Sequence, residues 1–109
     1  MGANLTMSPQ ATEALRMLGA SIRTARKRRR WTVDELAERV GVSTPTARKV
    51  ERGDPTVAVG TMFEAAVLVG VPLFDQDPTR RELFAASKSL ELALLPAAIR
   101  PRAEVDDDF

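Results

Sequence analysis

The apolar residues of this 109-residue chain recur mainly at three- and four-residue steps, broken by glycine and proline, which predicts a succession of amphipathic helices. Ser8 before Pro9 is a capping residue ahead of a first-turn proline. Leu15, Leu18, Ile22 and Ala25 then share one face of a helix expected from about Pro9 to Arg28, with Arg23 and Lys27 on its wet side. Thr32 and Glu35 stand at the spacing at which each side chain can satisfy the other's orphan backbone N–H, so a second helix starts at Val33. Trp31 and Leu36 are placed for the hydrophobic staple that sets its approach angle. Leu36, Ala37 and Val40 face inward, and Gly41 stops the helix after about eight residues.

Only Val42 separates Gly41 from Ser43, the cap of a third helix. Its first turn holds Thr44, Pro45 and Thr46, where a proline forfeits no intrahelical hydrogen bond. Ala47 and Val50 face the core, Gly53 ends the helix, and Thr44, Pro45, Arg48, Lys49 and Arg52 point outward. Two short helices joined by a tight glycine turn, the second polar and basic on its outer face, make the helix-turn-helix pattern. Val59, Met62, Phe63, Ala66 and Val69 mark a fourth, largely core helix up to Gly70, with Ala58 a poor cap at its start. Residues 71–76 read as an edge strand or an extended arm. Asp77 and Pro78 open a fifth helix, carried by Leu83, Phe84, Ser87, Leu90 and Leu94 to about Leu95. The organisation expected is a flexible N-terminus (1–8), a DNA-binding domain (9–76), a C-terminal helix for dimerisation or partner contact (77–95) and a disordered acidic tail (96–109).

Charge sharpens this picture. The net charge is only +1, but residues 16–52 hold eleven Lys or Arg against four Asp or Glu, whereas residues 54–109 hold five against ten. Five consecutive cations, Arg26 to Arg30, close the first helix, where they can complement its dipole or condense on phosphates. Without cysteine or histidine, neither a disulfide, nor a zinc site, nor an activated serine nucleophile can be built. No catalytic residue, metal or cofactor is predicted. The three terminal aspartates read as a solubilising or partner-binding tail, Trp31 as a staple ahead of a base-stacking ring, and Met62 and Phe63 as packing. The first ten residues have no basic start followed by an apolar run, and no stretch is apolar enough for a membrane span, which reads as a cytoplasmic protein with no membrane partner.

The run Thr32-x-x-Glu35-Leu36-Ala37-x-x-x-Gly41-Val42-Ser43-x-x-Thr46-x-x-x-x-Glu51-x-Gly53, within residues 18–71, resembles the phage-repressor-type (Xre/Cro) helix-turn-helix family. The resemblance implies an all-α, compact five-helix lambda-repressor-like DNA-binding domain. It implies a sequence-specific transcriptional regulator, not an enzyme, that binds a double-stranded inverted-repeat operator as a homodimer. Carried over position by position, it puts Thr44, Pro45 and Lys49 on base edges with Arg48 flanking them, and Thr46 on phosphate. The basic character of Arg28, Arg29, Arg30 and Arg52 and the exposed cap Thr32 add phosphate contacts. It also pairs Arg26 with Glu51 as a partly exposed structural ion pair worth about 1 kcal/mol. Val33 departs from the family's frequent glutamine, a phosphate contact, which Thr32 or the helix N-terminus can replace. Residues 51–74 are further similar to HipB-like antitoxins, which repress their own operon and bind a HipA-like kinase toxin. The alternatives are a stand-alone repressor of the same family, or an interaction module that neutralises a partner with DNA binding secondary.

Overall fold

The computed structural model describes residues 6–102. Five helices follow in order: α1 (Pro9–Arg28), α2 (Val33–Val40), α3 (Thr44–Arg52), α4 (Val59–Val69) and α5 (Pro78–Leu94), with no strand among the described residues. The residues divide into two compact units between Leu73 and Phe74, three positions before the boundary expected from sequence. Most of the expected flexible N-terminus and the acidic end from 103 lie outside the described residues.

In the first unit the helix ends follow from local chemistry. The Ser8 hydroxyl accepts the Ala11 N–H (3.1 Å), and Pro9 occupies the first position, where its missing donor costs nothing. The capping box is complete. Thr32 Oγ1 accepts the Glu35 N–H at 3.1 Å, and Glu35 Oε1 accepts the Thr32 N–H at 2.8 Å. The Ser43 hydroxyl likewise accepts the Thr46 N–H, and Gly41, Gly53 and Gly70 end their helices in the left-handed region. At the end of α1 an arginine fills that place. Arg30 has φ 61°, the Arg30 N–H donates to the Lys27 carbonyl and the Trp31 N–H to the Arg26 carbonyl, the paired bonds that close a helix. Holding a residue with a Cβ there costs roughly 1–2 kcal/mol.

The core of this unit is Ile22 from α1, Leu36 and Ala37 from α2, Ala47 and Val50 from α3, and Met62, Ala65, Ala66 and Val69 from α4. Trp31, Val33, Val40, Val71 and Leu73 pack around it half-buried. Residues 71–76 are therefore a connecting arm whose start is anchored by Val71 and Leu73, and the strand alternative falls away. One sequence expectation is corrected. Phe63 and Val59 are not core: they are 45% and 67% exposed and, with Val67 (61%), form a second apolar line along α4 at four-residue steps. Because α4 is apolar almost all round, its pattern does not fix which stripe turns inward.

Two glycines set the crossing of α1 over α3. A Cβ on Gly19 would lie 2.7 Å from the backbone oxygens of Val50 and Glu51 and from the Gly53 nitrogen. One on Gly53 would lie 2.5 Å from the Leu15 carbonyl oxygen.

In the second unit, Asp77 accepts the Thr79 N–H (2.9 Å) ahead of Pro78, and α5 stops at Leu94. Leu95 is extended (ψ 155°) because the following Pro96 disfavours helical backbone before it. No residue of α5 is buried; Leu83, Phe84, Leu90 and Leu94 are exposed, and the Phe84 ring meets that of Phe74 at 5.9 Å between centroids. Residues 96–102 have neither helix nor strand.

Gly19→Ala should destabilise the protein by about 1–3 kcal/mol despite alanine's better helix propensity, because the atoms it meets are backbone and cannot turn aside. Gly60→Ala in α4, where a Cβ meets nothing within 4 Å, should be neutral or slightly stabilising. Urea unfolding of the two variants compares them directly; a Gly19→Ala protein as stable as the parent would refute the close crossing.

Candidate nucleic-acid interface

The second helix of the motif is positioned from its inner face. Ala47 and Val50 are buried, and Glu51, one residue on, receives Arg26 from α1: Nε lies 2.5 Å from Oε2 and Nη2 3.1 Å from Oε1. The third arm of the same guanidinium donates to the Trp31 carbonyl at 2.8 Å. One arginine thus holds the end of α3 and the α1–α2 turn together. The pair is less exposed than the sequence expectation has it, the two side chains being 11% and 7% exposed. At that burial, removing one partner strands a desolvated charge.

The outer face of α3 carries Pro45, Arg48, Lys49 and Arg52, all exposed, while Thr44 and Thr46 are half-buried. Among the described residues none of these three cations pairs with a carboxylate. Both threonine hydroxyls are engaged. Thr44 Oγ1 donates to Asp34 Oδ1 of α2 at 2.7 Å, bracing the two helices of the motif, and Thr46 Oγ1 accepts from the Ser43 hydroxyl at 3.0 Å. What Thr44 offers outward is its methyl group. Thr46 keeps a hydroxyl proton to donate.

The basic run at the end of α1 is divided by function. Arg26 is used as described. Arg29 turns onto the C-terminus of α4, where its Nε donates to the Val69 carbonyl at 3.0 Å, satisfying one of the unpaired carbonyls and complementing the negative end of the helix dipole. Its guanidinium also lies 5.4 Å from the centre of the Trp31 ring. Arg29 is nonetheless exposed, and this bond uses only its Nε. Lys27, Arg28 and Arg30 are exposed as well. Trp31 packs half-buried on the core, and Arg39 of α2 covers its ring at 4.2 Å, a contact invisible in the sequence because the partners are on different elements.

Two carboxylates flank the interface. The Thr32 N–H and hydroxyl, with nearby Arg39, hold Glu35 below its ordinary range. The Thr56 hydroxyl and N–H, with Lys49 and Arg52 behind them, do the same for Asp54, which accepts from Thr56 Oγ1 at 2.6 Å and from its nitrogen at 2.8 Å. Both remain ionised beside the basic face at neutral pH. No described helix is long and apolar enough to cross a membrane.

Glu51→Ala should cost about 3 kcal/mol, and the double replacement Arg26→Met with Glu51→Leu should cost less than the single one, since it removes the stranded guanidinium. Urea unfolding of the single and double variants measures the difference; equal or additive losses would contradict a desolvated pair.

A family model described as a helix-turn-helix domain matches residues 17–82, more than half of the chain. No curated protein and no solved structure matches it. The matched span includes both helices of the motif, the part of α1 from residue 17 onward that clamps the second of them, and the α4 helix beneath, so the chain belongs to the helix-turn-helix domain family of DNA-binding regulators.

Proposed function

We propose that the chain is a sequence-specific transcriptional regulator that lays α3 in the major groove. The observation that carries this reading is the division of α3 into a clamped inner face and an outer face with three exposed cations that pair with no carboxylate among the described residues. Lys49 and Arg48 reach base edges, where they can donate to guanine O6 and N7. The Thr44 methyl and the Pro45 ring pack on thymine methyls. Arg28, Arg29, Arg30, Arg52, Thr32 and Thr46 hold the phosphate backbone and so set the register.

A single recognition helix spans few base pairs, so a homodimer on an inverted repeat, with half-sites roughly 34 Å apart, supplies the specificity. The exposed Leu83, Phe84, Leu90 and Leu94 of α5 favour that helix as the surface that meets the second copy. Occupancy of such a site occludes a promoter and represses it. Neither catalysis nor a cofactor is needed for this role. The similarity of residues 51–74 to HipB-like antitoxins supports the narrower reading of an autorepressor that also binds a HipA-like kinase, with the segment from Pro96 onward as the part that meets it.

Lys49→Ala should weaken operator binding by about 1–3 kcal/mol and relax base preference at one position of each half-site. Selection from randomised duplexes followed by affinity measurement reads both effects; unchanged preference would move the reading face away from Lys49. Deleting residues 96–109 should abolish binding to a HipA-like kinase while leaving operator affinity within twofold. Unaltered kinase binding by the truncated chain, or none by the full chain, would remove the antitoxin reading.

A further inference from the structure

A pocket of about 260 Å³ opens between α1 and α3, lined by Arg23, Arg26, Val33, Arg48, Glu51 and Arg52. Four of the six lining residues are arginines and one is an acid, but that acid is already spent. Both Glu51 oxygens are taken by Arg26, which in turn points its third arm at the Trp31 carbonyl. The remaining cations, Arg23 on one wall and Arg48 and Arg52 one turn apart on the other, are exposed and pair with no carboxylate among the described residues. Val33 supplies an apolar wall. A neighbouring hollow of about 630 Å³ shares Arg23, Glu51 and Arg52 and adds Arg16, two turns before Arg23 on α1, together with the carboxylate Asp54, so the cations continue along α1 while an acid stands on the far side.

Three guanidinium groups converging on one concavity, with the sole carboxylate internally neutralised, are suited to a tetrahedral oxyanion, which arginine grips through paired N–H donors. We propose that this pocket is a phosphate site in which Arg23 and Arg52 hold one phosphate group, with Arg48 at its rim, and that its occupant is a phosphodiester of the DNA backbone. This rests on the DNA-binding reading above. It adds Arg23, on a helix outside the motif, to the residues that engage DNA, and it draws Arg48 from the bases toward the backbone. A phosphate held between α1 and α3, one position from Lys49, fixes how far α3 enters the groove.

The test uses the full chain with Arg23→Gln and Arg52→Gln, both exposed, so that the thermal midpoint should stay with the parent. In the first arm, inorganic phosphate is titrated at constant ionic strength against the arginine Nε–H resonances. Saturable shifts at Arg23 and Arg52, weakened at least tenfold in either variant, are expected; linear, unsaturable shifts shared by all arginines would overturn the site. In the second arm, the affinity for a random duplex is followed against salt. Arg23→Gln should reduce the slope of log K against log salt by about one, with operator preference unchanged. A saturable phosphate response with an unaltered slope would overturn the DNA backbone as occupant in favour of a small phosphorylated ligand. A parent chain that binds no duplex would refute the DNA-binding reading, and with it this occupant, while the phosphate arm still decides whether the pocket is an anion site.

Discussion

The first unit depends on the direct approach of α1 to the C-terminal end of α3. Backbone meets backbone there, with the position of a Gly19 Cβ only 2.7 Å from two carbonyl oxygens and that of a Gly53 Cβ 2.5 Å from a third. Distance alone does not fix rotation. Seven residues after Gly19, and so close to the same helix face, Arg26 reaches Glu51 with two arms and the following turn with the third. The glycines set how near the helices come, and the ion pair sets the angle at which α3 leaves the crossing. Burying that pair carries a desolvation cost, which its close hydrogen bonds offset and which makes an alternative seating of α3 unfavourable.

The same clamp shapes the electrostatics of the outer face. Glu51 is the only acid on α3, and its neutralisation from inside leaves Arg48, Lys49 and Arg52 without an ion-pair partner among the described residues, with Asp54 beyond the helix end the carboxylate nearby. A basic surface is produced here as much by sequestering an anion as by adding cations. The opposite happens at the end of α1, where Arg26 is drawn inward to a carboxylate and Arg29, still exposed, donates to a helix terminus. Of the run of five cations only Arg26 is withdrawn from the surface, and Lys27, Arg28, Arg29 and Arg30 stay exposed.

Helix starts and stops were legible in the sequence because each is decided within four residues: Ser8, the Thr32–Glu35 box, Ser43, Asp77 and the three left-handed glycines. The motif itself was legible for the same reason, together with the period of its buried positions. Tertiary choices were not. Gly19 inside α1 reads only as a weak helix former, since its reason lies thirty residues away in α3. Consecutive arginines at the end of α1 project at about 100° intervals, so the sequence places cations on every side without saying which one meets α4. The glycine role of Arg30 carries no signature at all. In α4 the apolar residues run almost all round the helix, and Phe63 was read inward although Glu64, exposed beside it, is the one charge that marks the outer side.

How the proposed face divides its work follows from where hydrogen-bonding capacity is already consumed. In the first turn of α3 the Thr44 hydroxyl is given to Asp34, the Ser43 hydroxyl caps the helix, and Pro45 has no donor. That turn therefore meets a groove chiefly through carbon, as a methyl and a ring, which suits thymine methyl groups. One turn later the side chains are long, cationic and unpaired, suited to guanine acceptors or phosphate oxygens. On the proposed reading, the bracing that joins α2 to α3 is coupled to recognition: donors used to hold the motif rigid are withdrawn from reading, which would shift discrimination by hydrogen bonding toward Lys49.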